Sequence, residues 1–183
     1  ASAMLMAFDA SPWGLGAVLY VFGVPVSFFI SRLTALDEKR FKTTVGDHRA
    51  HQLWEVLAVL VALRVWRKFW TSRRVCLSFR GDNVTALTLV LRMKSPPGNL
   101  KAIAKEIALE LSLAVFRPKT ASHILGIANT VADVLSRKYE PNRQEWKLPQ
   151  ELHGVEEVFP EERTPDWYLI AHNPREQVGS ERL

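Results

Sequence analysis

Residues 4–30, MLMAFDASPWGLGAVLYVFGVPVSFFI, decide the fold. Apolar runs rich in β-branched and aromatic residues are cut at Ser11-Pro12-Trp13-Gly14 and again at Gly23. Ser, Pro and Gly are turn formers, so the stretch reads as three consecutive strands over 4–9, 15–22 and 24–30, the last two a hairpin about Gly23. Residues 31–48 are polar and charged and read as a long connection. Helical spacing then runs from about Arg49 to Trp70, with Trp54, Leu57, Val61, Val65 and Phe69 on one side and apolar residues on the others, the pattern of a buried helix. A strand over 75–79, a helix over 84–92, a break at Ser95-Pro96-Pro97-Gly98, a helix over 100–115, a strand over 119–125 ended by Gly126 and a helix over 130–138 complete the pattern. The order β-β-β-α-β-α-α-β-α predicts an α/β fold: a five-stranded mixed sheet with helices on both faces.

Composition narrows the class. The chain has 183 residues, 48% hydrophobic, enough for a real core and against disorder. Its single cysteine, Cys76, excludes an internal disulfide and suits a reducing, intracellular compartment. The most apolar stretch, Leu53 to Leu63, carries Glu55 and is too short to span a bilayer, so no membrane partner is expected. The first residues run almost at once into a strand with no leader pattern, as in a domain cut from a longer polypeptide. Charge divides the chain. Residues 1–139 hold 19 Lys+Arg against 9 Asp+Glu, whereas 140–183 hold 5 against 10. The first part is the expected folded domain and suits a polyanionic partner. The second, Pro- and Glu-rich, is the expected tail or linker, with Trp146, Leu148 and Trp167 available to dock.

Four acids stand in suggestive settings: Asp9 and Asp82 at the ends of apolar runs, Glu55 within the apolar helix and Asp133 in the last helix. Carboxylates at strand ends and on helices can converge at one edge of an α/β sheet, where hard divalent cations neutralise them, as a two-metal phosphodiester-cleaving site needs. Each has a duller explanation. Asp9 can form an Asx-turn before Pro12, Asp82 can cap a helix, and Asp133 can complete a capping box with Thr130. Glu55 resists one: no Lys or Arg stands three or four residues away. A buried unpaired carboxylate is costly, and a cation partner relieves that cost.

FDASPWGLGAVL, LWEVLAVLVAL, FRGDN and HILGIANTVADVLSR occur in the order found in ribonuclease H domains of retrotransposon reverse transcriptases, and GVPVSFFISRLT resembles the strand after their first turn. The ending, with Gly126, Asn129, Ala132-Asp133 and Leu135-Ser136-Arg137, is similar to the closing signature in long-terminal-repeat and tyrosine-recombinase elements. The resemblance covers about residues 4–138. It implies a ribonuclease H-like fold and four metal-binding, catalytic acids, Asp9, Glu55, Asp82 and Asp133, holding two Mg2+ or Mn2+ ions. It implies endonucleolytic hydrolysis of the RNA strand of RNA–DNA hybrids during reverse transcription, beside a covalently linked polymerase domain of a polyprotein. Proximity to the acids makes Arg80, Asn83, Asn129, Arg137 and Lys138 the expected nucleic-acid contacts.

The chain departs from that pattern in places. The loop after the last expected strand, Gly126 to Asn129, lacks the mobile histidine many such enzymes carry, and His123 lies within the strand. No basic hybrid-binding helix is evident between 92 and 100, and the polymerase's own acidic motif is absent. An inactive ribonuclease H-like tether, or a nucleic-acid-binding module beside a polymerase, is the alternative. A 3′–5′ exonuclease would need Glu where Ser11 stands, an integrase a Glu in place of Asp133, and a dinucleotide-binding loop a third glycine where Leu19 follows Gly14 and Gly16.

Overall fold

The computed structural model describes residues 2–71, 75–81, 92, 98–113, 116–120 and 126–168. The three opening strands form as expected: β1 (Ser2–Ala10), β2 (Gly14–Val21) and β3 (Val24–Arg32), each antiparallel to the next. Phe22 and Gly23 connect β2 to β3 with φ of 49° and 78°, the two left-handed residues of a tight hairpin whose twist matches its strands. β4 (Val75–Arg80) runs parallel to β1, and β5 (Phe116–Thr120) parallel to β4. With a two-residue β6 (Glu156–Glu157) parallel to β3, the order is β5-β4-β1-β2-β3-β6. Five strands of a mixed sheet are therefore as predicted, and β6 is an addition.

Two strand and helix limits differ from expectation. The fifth strand starts at Phe116 and contains Pro118. Proline has no N–H to donate, but β5 lies at the sheet edge, where one unpaired side is free of that demand. The last described helix of the domain begins at Gly126, which the sequence suggested as a strand end. The expected helix over 84–92 falls almost wholly outside the described residues.

Among the described residues, helical elements flank the sheet on both faces. Residues 31–48, expected as a connection, hold α1 (Ala35–Phe41), whose first turn is tied by the Thr34 N–H donating to Asp37 Oδ2 at 2.8 Å. Seven residues are too few for a periodic signal. A 3-10 turn (His48–Ala50) leads into α2 (His51–Val65), in which every residue from Leu53 to Leu63 is buried. The helix breaks at Trp66, where the indole N–H donates to Ser27 Oγ at 2.9 Å, and resumes as the short α3 (Lys68–Thr71). α4 (Gly98–Leu113) packs on α2, and α5 (Gly126–Ser136) lies against β1 and β2.

Strand alternation sorts these helices onto opposite faces. Met4, Met6 and Phe8 of β1 and Leu15, Ala17 and Leu19 of β2 join the core with α2 and α4. Ala7 and Val18 face the other way and meet Ala132, Val131 and Leu135 of α5. The approach of α5 is close because β2 presents glycines: a Cβ on Gly16 would stand 2.5 Å from Leu135 Cβ.

The segment from 140 to 168 is mostly irregular yet closely laid on the domain. Trp146 and Leu148 pack beside α5, and the Trp146 indole donates to the Val134 carbonyl at 2.8 Å. Leu152 is buried in the same cluster. β6 then pairs with the β3 edge, and α6 (Pro165–Tyr168) buries Trp167 and Tyr168 in the α2 core. The segment is thus a strap that passes around the sheet edge from one face to the other. Arg163 anchors it: its guanidinium donates to Asp37 at 2.8 and 2.7 Å, to Ser31 Oγ and to the Arg32 carbonyl. Arg64 links the same end of the strap to α4, bonding Glu106 at 2.9 Å and the Trp167 carbonyl, while Arg67 pairs with Glu110. Among the described residues, no helix is long and apolar enough to cross a membrane.

Candidate metal centre

Asp9 sits at the C-terminal end of β1, 4% exposed and opposite Gly16. Alternation puts it on the α5 side with Ala7. The following turn is not made by Asp9. Ser11 Oγ accepts from the N–H groups of Trp13 and Gly14 at 3.2 and 3.1 Å and donates to the Ser136 carbonyl at 2.6 Å. The Asx-turn explanation of Asp9 therefore fails. Its Oδ1 accepts from the Ala10 N–H at 2.8 Å, which fixes the carboxylate close to its own strand end.

Glu55 comes from α2 on the opposite face and is 2% exposed. His51, one helical turn before it, brings Nε2 to 2.8 Å from Glu55 Oε1. No Lys or Arg stands at that spacing, and the basic neighbour of Glu55 along the helix is this imidazole. An i, i+4 relation on a helix is the signal that identifies it. One ligand atom each from Asp9, His51 and Glu55 lie within 4.8 Å of one another. Two buried carboxylates and an imidazole are a donor set that fits a divalent cation.

Asp133 lies on α5, its side chain 42% exposed, with Arg137 Nε at 2.9 Å from Oδ1. Because α5 starts at Gly126, Thr130 is inside the helix and the capping-box explanation fails. Burial pushes the Arg137 guanidinium down, but the hydrogen bond and charge of Asp133, with Glu140 and then Asp9, outweigh it and raise its pKa. Asp133 is not part of the close Asp9–His51–Glu55 group.

Of the expected nucleic-acid contacts, Arg80 ends β4 and is half-buried, and Asn129 is half-buried in the first turn of α5. Arg137 is engaged by Asp133 and by Glu140 at 3.6 Å. Lys138 is exposed, its ammonium over the rings of Tyr139 and Trp146. Asp82, Asn83 and His123 lie outside the described residues.

The connection before α2 is braced near the site. Gly46 N–H donates to the Pro12 carbonyl at 2.8 Å, and the Trp13 and His48 rings meet edge-on at 6.1 Å. The segments that carry Asp9 and His51 are thereby tied together.

The fold is α/β, a mixed sheet in the order β5-β4-β1-β2-β3-β6 with helices on both faces. At one end of that sheet stands a buried group able to hold a cation. No protein-family model matches the chain, and no curated protein does. Among solved structures it is similar to the N-terminal RNase H domain of Rv2228c from Mycobacterium tuberculosis, solved as a fusion with maltose-binding protein. The two share 10% identity over 75% of this chain and 98% of that one, with a TM-score of 0.44.

Proposed function

We propose that this protein is a metal-dependent endonuclease that hydrolyses the RNA strand of RNA–DNA hybrids. The observation that carries the reading is the convergence of Asp9 from β1 and Glu55 from α2, both nearly inaccessible to water, with an imidazole at the end of a mixed sheet. Burying two carboxylates together is expensive unless positive charge compensates them.

Asp9 and Glu55, with Asp133 and Asp82, are the residues that would hold two Mg2+ or Mn2+ ions, whose chemistry is to activate water and to stabilise charge on the leaving oxygen. The protein's contribution is placement. The Ala10 N–H orients Asp9, buried α2 holds Glu55, and Ser11 bound to the Ser136 carbonyl pins the end of α5 to the turn after Asp9. Asp82 is two residues past Arg80, and Asp9 two past Ala7, with which Arg80 is paired. Arg80, Asn83, Asn129, Arg137 and Lys138 are proposed to meet the substrate backbone, with affinity that falls as salt rises. Selectivity for RNA would come from 2′-hydroxyl contacts in a minor groove. Residues 1–139 carry this chemistry and the strap beyond supports it. A reverse transcriptase polyprotein, with a linked polymerase, is supported by the sequence resemblance alone.

A second reading, an inactive tether, is favoured by one observation: Glu55 and Asp133 each have a basic side chain of this protein beside them, His51 and Arg137. The test is cleavage of a labelled hybrid in Mg2+, Mn2+ or chelator, by wild type, Asp9→Asn and Asp82→Asn. Metal-dependent cutting of RNA that both variants lose is the expected result. Hybrid binding without cutting in either metal would overturn the nuclease and leave the tether.

A further inference from the structure

We infer that His51 is a nitrogen ligand of the metal centre, and that the centre therefore takes a first-row transition cation such as Mn2+ in preference to Mg2+. This rests on Asp9 and Glu55 being metal ligands, as proposed above, and goes further by adding a residue and a metal class.

Geometry supports the role. Two ligand atoms at right angles about one ion, each roughly 2.1 Å from it, stand about 3 Å apart. His51 Nε2 and Glu55 Oε1 are 2.8 Å apart. The widest spacing in the group is within 4.8 Å, against roughly 4.2 Å for ligands on opposite sides of such an ion, so the group closes on a cation with less than about 1 Å of side-chain movement. Both residues belong to α2, anchored by its buried run from Leu53 to Leu63, so their spacing is a property of the helix. The link from Gly46 to Pro12 holds the start of that helix against the turn after Asp9. His51 is also the solvent-side member: its side chain is 40% exposed where that of Glu55 is 2%. An entering ion meets the imidazole before the buried carboxylate.

Chemistry then selects the metal. Mg2+ prefers oxygen ligands in a near-ideal octahedron and gives up water reluctantly, whereas imidazole suits Fe2+, Ni2+, Cu2+ and Zn2+ best; Mn2+ stands at the weak end of that first-row series and is the paramagnetic probe of it. An Asp–His–Glu set is therefore biased against Mg2+.

The full chain is loaded with Mn2+ and studied by pulsed electron paramagnetic resonance, which detects an imidazole nitrogen bound directly to the ion. Calorimetric titration with Mn2+ and Mg2+ runs alongside. We expect nitrogen coupling in the wild type, its loss in His51→Gln with Mn2+ still bound, and Mn2+ affinity at least tenfold above that for Mg2+, narrowing in the variant. Isotope-labelled histidine in the wild-type protein shows whether the coupled nitrogen is a histidine's, and His51→Asn replaces His51→Gln should that variant misfold. Mn2+ bound without nitrogen coupling would overturn the inference, make His51 a hydrogen-bond partner of Glu55 and leave the nuclease reading intact. Coupling that survives in His51→Gln would assign it to another histidine and overturn the inference too. No Mn2+ binding at millimolar concentrations would overturn both readings.

Discussion

The face of the sheet under α2 and the face under α5 are built by different means. Under α2 the core is thick: Trp54, Trp66 and Trp70 are fully buried, and Asp37–Arg163 and the Arg64–Glu106–Glu110 group are closed off from water. Under α5 the core is thin, and the helix sits almost on the strand backbone because Gly14 and Gly16 leave room for it. The candidate site straddles the two. Glu55 belongs to the thick side and is held rigidly, while Asp133 belongs to the thin side, is partly exposed and shares Arg137 with Glu140. A two-sided site of this kind has a fixed half and an adjustable half.

The comparison breaks most visibly on the fixed half. Glu55→Gln should lower hybrid cleavage by on the order of 10³-fold, about 4 kcal/mol in the barrier, with hybrid binding retained; kinetics at saturating metal will check this. A fall of less than tenfold would mean that the buried side is not where the chemistry is held.

Arg163→Ala tests the same face through stability. It leaves Asp37, 0% exposed, without its charged partner and should cost about 3 kcal/mol in urea denaturation. The pH dependence follows. Burial raises the Asp37 pKa, but the hydrogen bonds and charge of Arg163, with Tyr168 and Thr34, prevail and hold it below the usual carboxylate range. A carboxylate depressed on folding stabilises fully above its unfolded value near about 4 and loses that contribution as pH falls through the lower folded value. Stability of the wild type should therefore decline below about pH 4, and Arg163→Ala should flatten that slope.

Gly16→Ala probes the thin side. The new methyl would meet Leu135 Cβ and, at 2.8 Å, the Ser136 nitrogen, so α5 must move outward. We expect a loss of about 2 kcal/mol by overpacking, together with reduced cleavage because Asp133 moves with the helix. Unchanged cleavage would dissociate Asp133 from the site. The smallest effect belongs to Asp133→Asn, about tenfold in rate, or about 1.4 kcal/mol. A loss as large as that of Glu55→Gln would abolish the distinction between fixed and adjustable halves.

The strands were legible because Ser11-Pro12 and Gly23 punctuate apolar runs, a signal carried within a few residues. α1 was not, since seven residues hold too little periodicity, and the helix through Trp70 reads as continuous because Val65 and Phe69 keep the spacing while a side-chain bond from Trp66 to Ser27 goes unseen. The strand at Phe116 was placed late because Pro118 is unfavourable in a sheet until one knows that the strand is an edge. In the candidate site, Asp9, Glu55 and Asp133 stood out as acids in apolar or strand-end settings, but whether they meet depends on topology. His51 was missed because only permanently charged partners were sought for Glu55. The strap was undecided from composition, because its anchor joins residues 126 positions apart.

That separation has a consequence for how the protein is made. Asp37 leaves the ribosome long before Arg163 exists. At roughly 5–20 residues per second the interval is roughly 6–25 s. Throughout it the carboxylate has no guanidinium to enter the core with, and the cavity awaiting Trp167 and Tyr168 stays open on the nascent chain. The large core of this domain is therefore closed last, by the strap, and slow translation through residues 140–168 would lengthen the time the growing chain offers apolar surface to chaperones.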